Sequence, residues 1–133
     1  MRKIALPAAL KEKIGAPQTL NNKYGAKRTQ VGDIWFASKA EAARYSELLL
    51  LKKAGEITDL ETQVPFWLHV NNLPIGKYVA DFTYAHKATG EKIVEDVKGG
   101  SWKGSRTALY KWKKRHMLAE YDIDIVEISV SPK

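Results

Sequence analysis

The sequence contains no cysteine in its 133 residues. This absence excludes a disulfide framework, a zinc site built from thiolates and a cysteine nucleophile. It also fits a reducing compartment such as the cytoplasm. Because 44% of the residues are hydrophobic, the chain can still bury a core of its own, and its length predicts one domain.

Long hydrophobic runs are missing as well. The longest, Leu48 to Leu51, has four residues, whereas a helix that crosses a membrane needs about 20. The apolar stretch from Ile4 to Leu6 is too short for a signal peptide. We therefore expect a cytoplasmic protein with no membrane partner.

Acidic residues are scarce in two segments of the chain, whose net charge is +7. Residues 1–30 hold seven bases and one acid, and residues 101–116 hold six bases and no acid. The remaining residues carry nine bases and fourteen acids, so two basic segments flank an acidic middle. This pattern suits binding of a phosphate backbone, and it equally fits an ordinary solvated surface.

The N-terminal residues differ in composition from the rest. Residues 1–26 contain prolines, glycines and an Asn-Asn pair with little apolar periodicity. This predicts a basic, loosely structured arm before a single domain at residues 27–133. Two β-prone runs, 29–31 and 34–36, flank Gly32-Asp33 and predict a hairpin at the start of that domain.

A helix is predicted after the hairpin. Ser38 and Glu41 form a capping-box pattern at its start, and Gly55 is a suitable residue to stop it after Ala54. The apolar spacing predicts a buried stripe made of Ala40, Ala43, Leu48 and Leu51.

Three strands, a second helix and a last strand are predicted next. Asn71–Gly76 would be a loop between the first two strands. The bounds are Gln63–Val70, Lys77–His86 and Glu91–Lys98 for the three strands, Arg106–Glu120 for the helix and Ile123–Val130 for the last strand. With the hairpin in front, this order predicts an α/β (α+β) fold with a mixed sheet.

Two acids and a lysine are expected to converge on this sheet. Asp96 and Lys98 are two residues apart in one strand and so share a face. A hairpin turn at residues 87–90 would set Asp81 opposite them. The alternative is a surface cluster in which Lys98 simply pairs with one of the two carboxylates.

Two neighbouring carboxylates repel each other unless a cation lies between them. Mg²⁺ prefers oxygen ligands, commonly one or two carboxylates with water and substrate phosphate. Such an ion can polarise a phosphodiester and lower the pKa of an attacking water. Asp81, Asp96 and Lys98 therefore predict a Mg²⁺ or Mn²⁺ site, with Lys98 orienting the water or stabilising developing charge.

The sequence resembles the PD-(D/E)XK nuclease superfamily, and more closely a small branch of it common in phages and prophages. The resemblance covers roughly residues 22–128. Its carriers are Asn22-Lys23-Tyr24-Gly25, Phe36-Ala37-Ser38-Lys39-Ala40-Glu41-Ala42, Ala54-Gly55-Glu56-Ile57, Tyr78-Val79-Ala80-Asp81-Phe82 and Glu95-Asp96-Val97-Lys98-Gly99. Alanine stands at position 80, where the superfamily name has proline.

The resemblance implies a restriction-endonuclease-like core and a metal-dependent DNA endonuclease. Asp81 and Asp96 would bind the metal and Lys98 would be catalytic. The similar resolvases of branched DNA cut as dimers, so structure-specific cleavage of recombination or replication intermediates and a homodimer are expected by analogy. The expected setting is the cytoplasm of a bacterial or phage-infected cell.

Three further polar residues belong to this interpretation. In many members of the superfamily a Glu on the first helix completes the metal site, and Glu41 is the candidate here. Its alternative role is the capping box alone. Glu95 adjoins Asp96 but points to the other face of its strand, so we interpret it either as structural or as a residue that supports the metal ligands from behind. Gln63 can reach the edge of the site or remain a solvated strand residue.

Basic residues near the second helix and the hairpin are the candidates for DNA binding. Trp112 can stack on an unpaired base, although Leu109, Trp112 and Leu118, with Tyr110 and Met117, more naturally form the core stripe of that helix. Lys111 or Lys114 can also support the catalytic site. The proposed phosphate contacts are Lys27, Arg28, Lys103, Arg106, Lys111, Lys114 and Arg115.

Two other classes of function remain open. One is a non-catalytic DNA-binding module on a nuclease fold, although the intact set of Asp81, Asp96 and Lys98 favours an enzyme. The other is a protein–protein adaptor, which would bind no DNA even at low salt.

Overall fold

The computed structural model describes residues 20–21, 27–99 and 107–130. Of the predicted arm at 1–26, only the first short strand falls in this part of the chain. The elements are β1 (Leu20–Asn21), β2 (Lys27–Val31), β3 (Ile34–Phe36), α1 (Lys39–Lys53), β4 (Ile57–Val70), β5 (Leu73–His86), β6 (Lys92–Gly99), α2 (Ala108–Tyr121) and β7 (Val126–Val130). Their order confirms the predicted hairpin followed by helix, three strands, helix and strand.

The main sheet is mixed and has the strand order β4-β5-β6-β7. β4, β5 and β6 pair antiparallel, whereas β6 and β7 pair parallel. Parallel neighbours need a crossover connection, and α2 lies within it. A smaller antiparallel sheet, β1-β2-β3, contains the predicted hairpin. The α+β class with a mixed sheet is thus confirmed.

β4 and β5 form a longer ribbon than the sequence predicts. They pair from Ile57–His86 to Val70–Leu73 and turn at Asn71-Asn72, both with positive φ, as in two-residue hairpin turns. The predicted loop over Asn71–Gly76 was therefore too long. Its Pro74 suggests a loop, but it pairs with His69 beside a register shift, where a residue without an N–H is tolerated.

α1 packs on one face of the sheet through Ala42 and Leu48, which join Phe82 in a buried cluster. Leu48 is buried as predicted, but Ala43 and Leu51 of the predicted stripe are exposed. The stripe was wrong in part because four consecutive leucines cover a whole helical turn, so their spacing cannot identify the buried one.

α2 packs on the opposite face through Met117 and the partly buried Tyr110. The alternation along β6 separates the two faces, since Val94 joins the α2 cluster and Val97 packs with the α1 cluster. The predicted α2 stripe was wrong for its other members, Leu109, Trp112 and Leu118, which are 60%, 45% and 48% exposed.

Neither helix in the described ranges is long and apolar enough to cross a membrane.

Candidate metal centre

β5 and β6 bring Asp81 and Asp96 together. The last residues that β5 and β6 pair with each other are Phe82 and Glu95. Asp81 and Asp96 are the next residue on each strand beyond that pair. There the Asp81 carboxylate takes the place of a backbone partner, because its Oδ2 accepts a hydrogen bond of 2.8 Å from the Val97 N–H. The sequence predicted this juxtaposition from the position of the turn.

Asp96 and Lys98 form a buried ion pair. The Lys98 ammonium lies 2.7 Å from Asp96 Oδ2, and the two residues are 6% and 9% exposed. The Tyr78 hydroxyl donates to Asp96 Oδ1 at 3.0 Å, and the Lys98 Nζ lies 3.3 Å from the centre of the Tyr110 ring. The pairing of Lys98 with one carboxylate, which the alternative predicted, is thus observed, but the pair is buried rather than on the surface.

Glu41 extends from the first turn of α1 toward the two aspartates. Only half of the predicted capping box forms: the Ser38 hydroxyl accepts from the Glu41 N–H at 3.2 Å, and it lies 3.4 Å from the Glu41 carboxylate. Burial, followed by the charge of Asp81, raises the pKa of Glu41 to about 7, and the charge of Asp96 adds to the rise. The helix cap therefore also places a carboxyl group beside the strand acids.

The balance of charge in this cluster is negative. Burial raises the pKa of Asp81 to about 6, and the charge of Asp96 adds to the rise. The Val97 N–H, Gln63 and Lys98 lower that pKa in part. When all three carboxyl groups are ionised, one ammonium leaves two negative charges uncompensated, which is the charge of one divalent cation.

Gln63 reaches the site through an unusual backbone conformation. Its φ is +52°, in the left-handed region that non-glycine residues rarely adopt. Its side-chain amide lies 3.4 Å from Asp81 Oδ1. Both features that the sequence left open for Gln63 are therefore observed, since the residue is exposed to solvent and also contacts the edge of the site.

Arg44 helps to hold the candidate site together, and sequence analysis did not identify it. On α1 it stands one turn after Glu41, and its guanidinium binds both carboxylate oxygens of Glu95 at 2.9 and 2.6 Å. Glu95 is completely buried and also accepts a hydrogen bond from the Tyr84 hydroxyl. The Glu95 hydrogen bonds raise the pKa of Arg44 above its usual range. Glu95 is thus structural, which is one of its two predicted roles, and it fastens α1 to β6. Strand alternation predicted the face to which Glu95 points, but it could not identify Arg44 as the partner, because the two residues are 51 positions apart in the chain.

The donor set fits a hard cation such as Mg²⁺, which takes one or two carboxylates and keeps several waters. Asp81 and Asp96 would supply those oxygens, and the excess negative charge would favour a divalent ion. Within residues 27–99 and 107–130, however, no three carboxylate or imidazole groups form one compact ligand set. The metal and its three ligands, Asp81, Asp96 and Glu41, therefore stay a prediction.

The predicted DNA-binding residues differ in their surroundings. Lys103 and Arg106 lie outside the described residues, as does the side chain of Lys27. Arg28, Lys111 and Arg115 are exposed, with the Arg28 guanidinium 5.2 Å from the centre of the Trp35 ring. Lys114 instead donates to the Ile125 carbonyl at 2.6 Å and lies 3.4 Å from Asp124.

Comparison with known proteins gives one family. Residues 21–129 match the model of a family described as "Protein of unknown function (DUF1064)". No curated protein and no solved structure matches the chain.

Proposed function

This chain belongs to the DUF1064 family, and we propose that it is a metal-dependent nuclease that hydrolyses phosphodiester bonds in DNA. One observation carries the proposal: Asp81 and Asp96 lie together just beyond the last β5–β6 pair, Lys98 is bound to Asp96, and the Glu41 carboxyl group is close enough to both aspartates for their charges to raise its pKa. Raised carboxyl pKa values beside a buried lysine are typical of functional sites. The resemblance to the PD-(D/E)XK superfamily supports the same assignment.

Asp81 and Asp96 would hold a Mg²⁺ or Mn²⁺ ion, with Glu41 as a further ligand. When bound, such an ion polarises a phosphodiester and lowers the pKa of a water ligand. The Lys98 ammonium would stabilise the negative charge that develops on the phosphoryl oxygens. Tyr78, which donates to Asp96 Oδ1, would keep that carboxylate oriented.

DNA is the proposed substrate because of the charge distribution. The net charge is +7 although the site itself is acidic, so the chain carries an excess of basic residues outside the site, which favours binding of a phosphate backbone. From the superfamily resemblance we further propose that the enzyme cleaves branched DNA intermediates in a structure-specific way. On the same ground we propose that it acts as a homodimer in the cytoplasm of a bacterial or phage-infected cell.

The test is cleavage of branched, single-stranded and duplex DNA with Mg²⁺ or Mn²⁺. Lys98→Met and Asp81→Asn should each lower the rate by at least about 100-fold. Lys87→Met and Asp59→Asn are matched controls on exposed residues and should keep the rate. If the wild type leaves every DNA intact with both metals, the proposal is wrong.

A non-catalytic DNA-binding module is the second candidate. It is favoured by the direct contact of Lys98 with Asp96, which already neutralises one carboxylate, and by the lack of a compact three-ligand set in the described ranges. Such a module would bind DNA with the same affinity with and without Mg²⁺, and Lys98→Met would change folding rather than cleavage.

A further inference from the structure

A groove lies between β5 and the first turn of α2, next to the candidate metal centre. It has a volume of about 400 Å³ and is lined by Lys77, Val79, Leu109 and Lys113, with Tyr78 and Tyr110 as its inner wall. This size falls in the usual range of about 300 to 1,000 Å³ for ligand sites.

The inner wall joins the groove to the metal centre. The Tyr78 hydroxyl donates to Asp96 at 3.0 Å, and the Tyr110 ring lies 3.3 Å from the Lys98 ammonium. A ligand in the groove would therefore be separated from the reacting groups by one layer of side chains.

The outer wall combines apolar surface with positive charge. Val79 and Leu109 are 38% and 60% exposed, so two aliphatic side chains face solvent here. Lys77 and Lys113 lie beside them; the Lys77 ammonium is 5.7 Å from the centre of the Trp67 ring, and neither lysine forms an ion pair within the part of the chain that the structure describes. The groove thus offers an apolar platform flanked by two cations.

We infer that this groove binds an unpaired nucleotide of the DNA strand next to the cleaved phosphate. An apolar surface contacts a base through the flat face of its ring. In a duplex these faces are stacked on each other, so only an unpaired base can present one to the groove. The two lysines match the phosphates on either side of the base. The inference rests on the proposed function and narrows its substrate to DNA with a single-stranded segment.

The test measures binding without divalent ions, so that no cleavage occurs. The probes are a fluorescent single-stranded DNA, the blunt duplex of the same sequence and the matching single-stranded RNA. We expect the wild type to prefer single-stranded DNA. Leu109→Ser should weaken that binding by about fivefold through loss of apolar contact and leave duplex binding unchanged.

The charge of the groove is tested by salt dependence. Lys113→Ala should lower the slope of log affinity against log salt for single-stranded DNA by about 0.7. Leu118→Ser, on the exposed side of the same helix, and Lys87→Ala, in the β5–β6 turn, are the controls and should match the wild type.

The outcomes separate this inference from the proposed function. Equal affinity for single strand and duplex, or groove variants that bind like their controls, would overturn the groove assignment even if the wild type cleaves DNA. Tighter binding of RNA would overturn the choice of DNA. Groove-dependent binding without cleavage by Mg²⁺ or Mn²⁺ would leave the groove supported and refute the nuclease.

Discussion

Glu41 and Asp81 are held where their ionisation is unfavourable. Burial is the largest cause in both, and each lies within reach of further negative charge. In the unfolded chain the same groups are solvated and ionise at their ordinary pKa values. Ionised Glu41 and Asp81 therefore lower the stability of the folded state, and a bound divalent cation would offset this loss.

The first prediction concerns the pH dependence of stability without metal. The folded pKa values of Glu41 and Asp81, about 7 and about 6, lie above their ordinary values of 4.5 and 3.8. The folded state thus binds more protons, and the stability that these groups contribute is complete below pH about 4 and lost as pH rises to about 7. We expect a loss of up to about 6 kcal/mol over this window, since one pKa unit corresponds to about 1.4 kcal/mol.

Thermal melts at several pH values check this expectation. The double variant Glu41→Gln, Asp81→Asn should remove most of the slope, because it lacks the two carboxyl groups whose pKa values rise on folding. Mg²⁺ should raise the melting temperature of the wild type more at pH 8 than at pH 5 and leave the double variant unchanged. An equal effect of Mg²⁺ on both proteins would contradict the assignment of the site.

The second prediction concerns the backbone of Gln63. A non-glycine residue with φ of +52° is strained by about 1 kcal/mol, and glycine relieves that strain. Gln63→Gly should therefore unfold at a higher denaturant concentration than Gln63→Ala, whereas both lose the contact with Asp81 and should lose cleavage rate equally. A glycine variant no more stable than the alanine variant would show that the conformation is not strained.

At the scale of elements, the Arg44–Glu95 pair connects α1 to the centre of the sheet. α1 carries Glu41 one turn before Arg44, and β6 carries Asp96 directly after Glu95. The bidentate pair therefore fixes the helix that supplies one acid of the site against the strand that supplies another. We regard Arg44 as a residue that positions Glu41.

The third prediction follows from the burial of that pair. Arg44→Met leaves a buried carboxylate without its partner and should lower the free energy of unfolding by about 3 kcal/mol. Glu47→Gln removes the exposed partner of the same arginine and should cost less than about 0.5 kcal/mol.

Chemical denaturation measures both effects, and Arg44→Met with Glu95→Gln should recover part of the loss. The affinity for Mg²⁺ should also fall in Arg44→Met, because Glu41 is no longer held near the aspartates. If Arg44→Met binds Mg²⁺ like the wild type, the arginine has a purely structural role.

At the scale of the whole molecule, the net charge is +7 although the candidate site is acidic. The fourth prediction separates the bases that reach solvent from those that hold the fold. Lys111 and Arg115 are exposed four residues apart on α2, whereas Lys114 donates to the Ile125 carbonyl. Lys111→Ala with Arg115→Ala should lower the salt slope of duplex binding by about 1.8.

Lys114→Ala is the control for this comparison, because it removes a charge from the same helix. It should leave the salt slope unchanged and instead lower the melting temperature, since α2 loses a contact with the start of β7. A reduced slope in Lys114→Ala would show that its contact with Ile125 opens in the complex.

The sequence by itself determined what depends on neighbours along the chain. Caps, turns and strand alternation act within a few residues, so the order of elements and the Ser38 cap could be predicted. The convergence of Asp81, Asp96 and Lys98 also followed, because one hairpin turn and a period of two place them. Asp81 and Asp96 are joined by a single hairpin turn, so turn position and strand alternation are enough to bring them together.

Only the tertiary structure decided which of several equivalent residues is used. The buried leucine of the Leu48–Leu51 run, the exposed apolar residues of α2 and the partner of Glu95 depend on what packs from distant parts of the chain. The same holds for Glu41, whose carboxylate lies beside the strand acids because the buried residues Ala42 and Leu48 and the Arg44–Glu95 pair dock α1 there. Local spacing carries no information about such contacts, since their energies come from burial and from charges brought together by the fold.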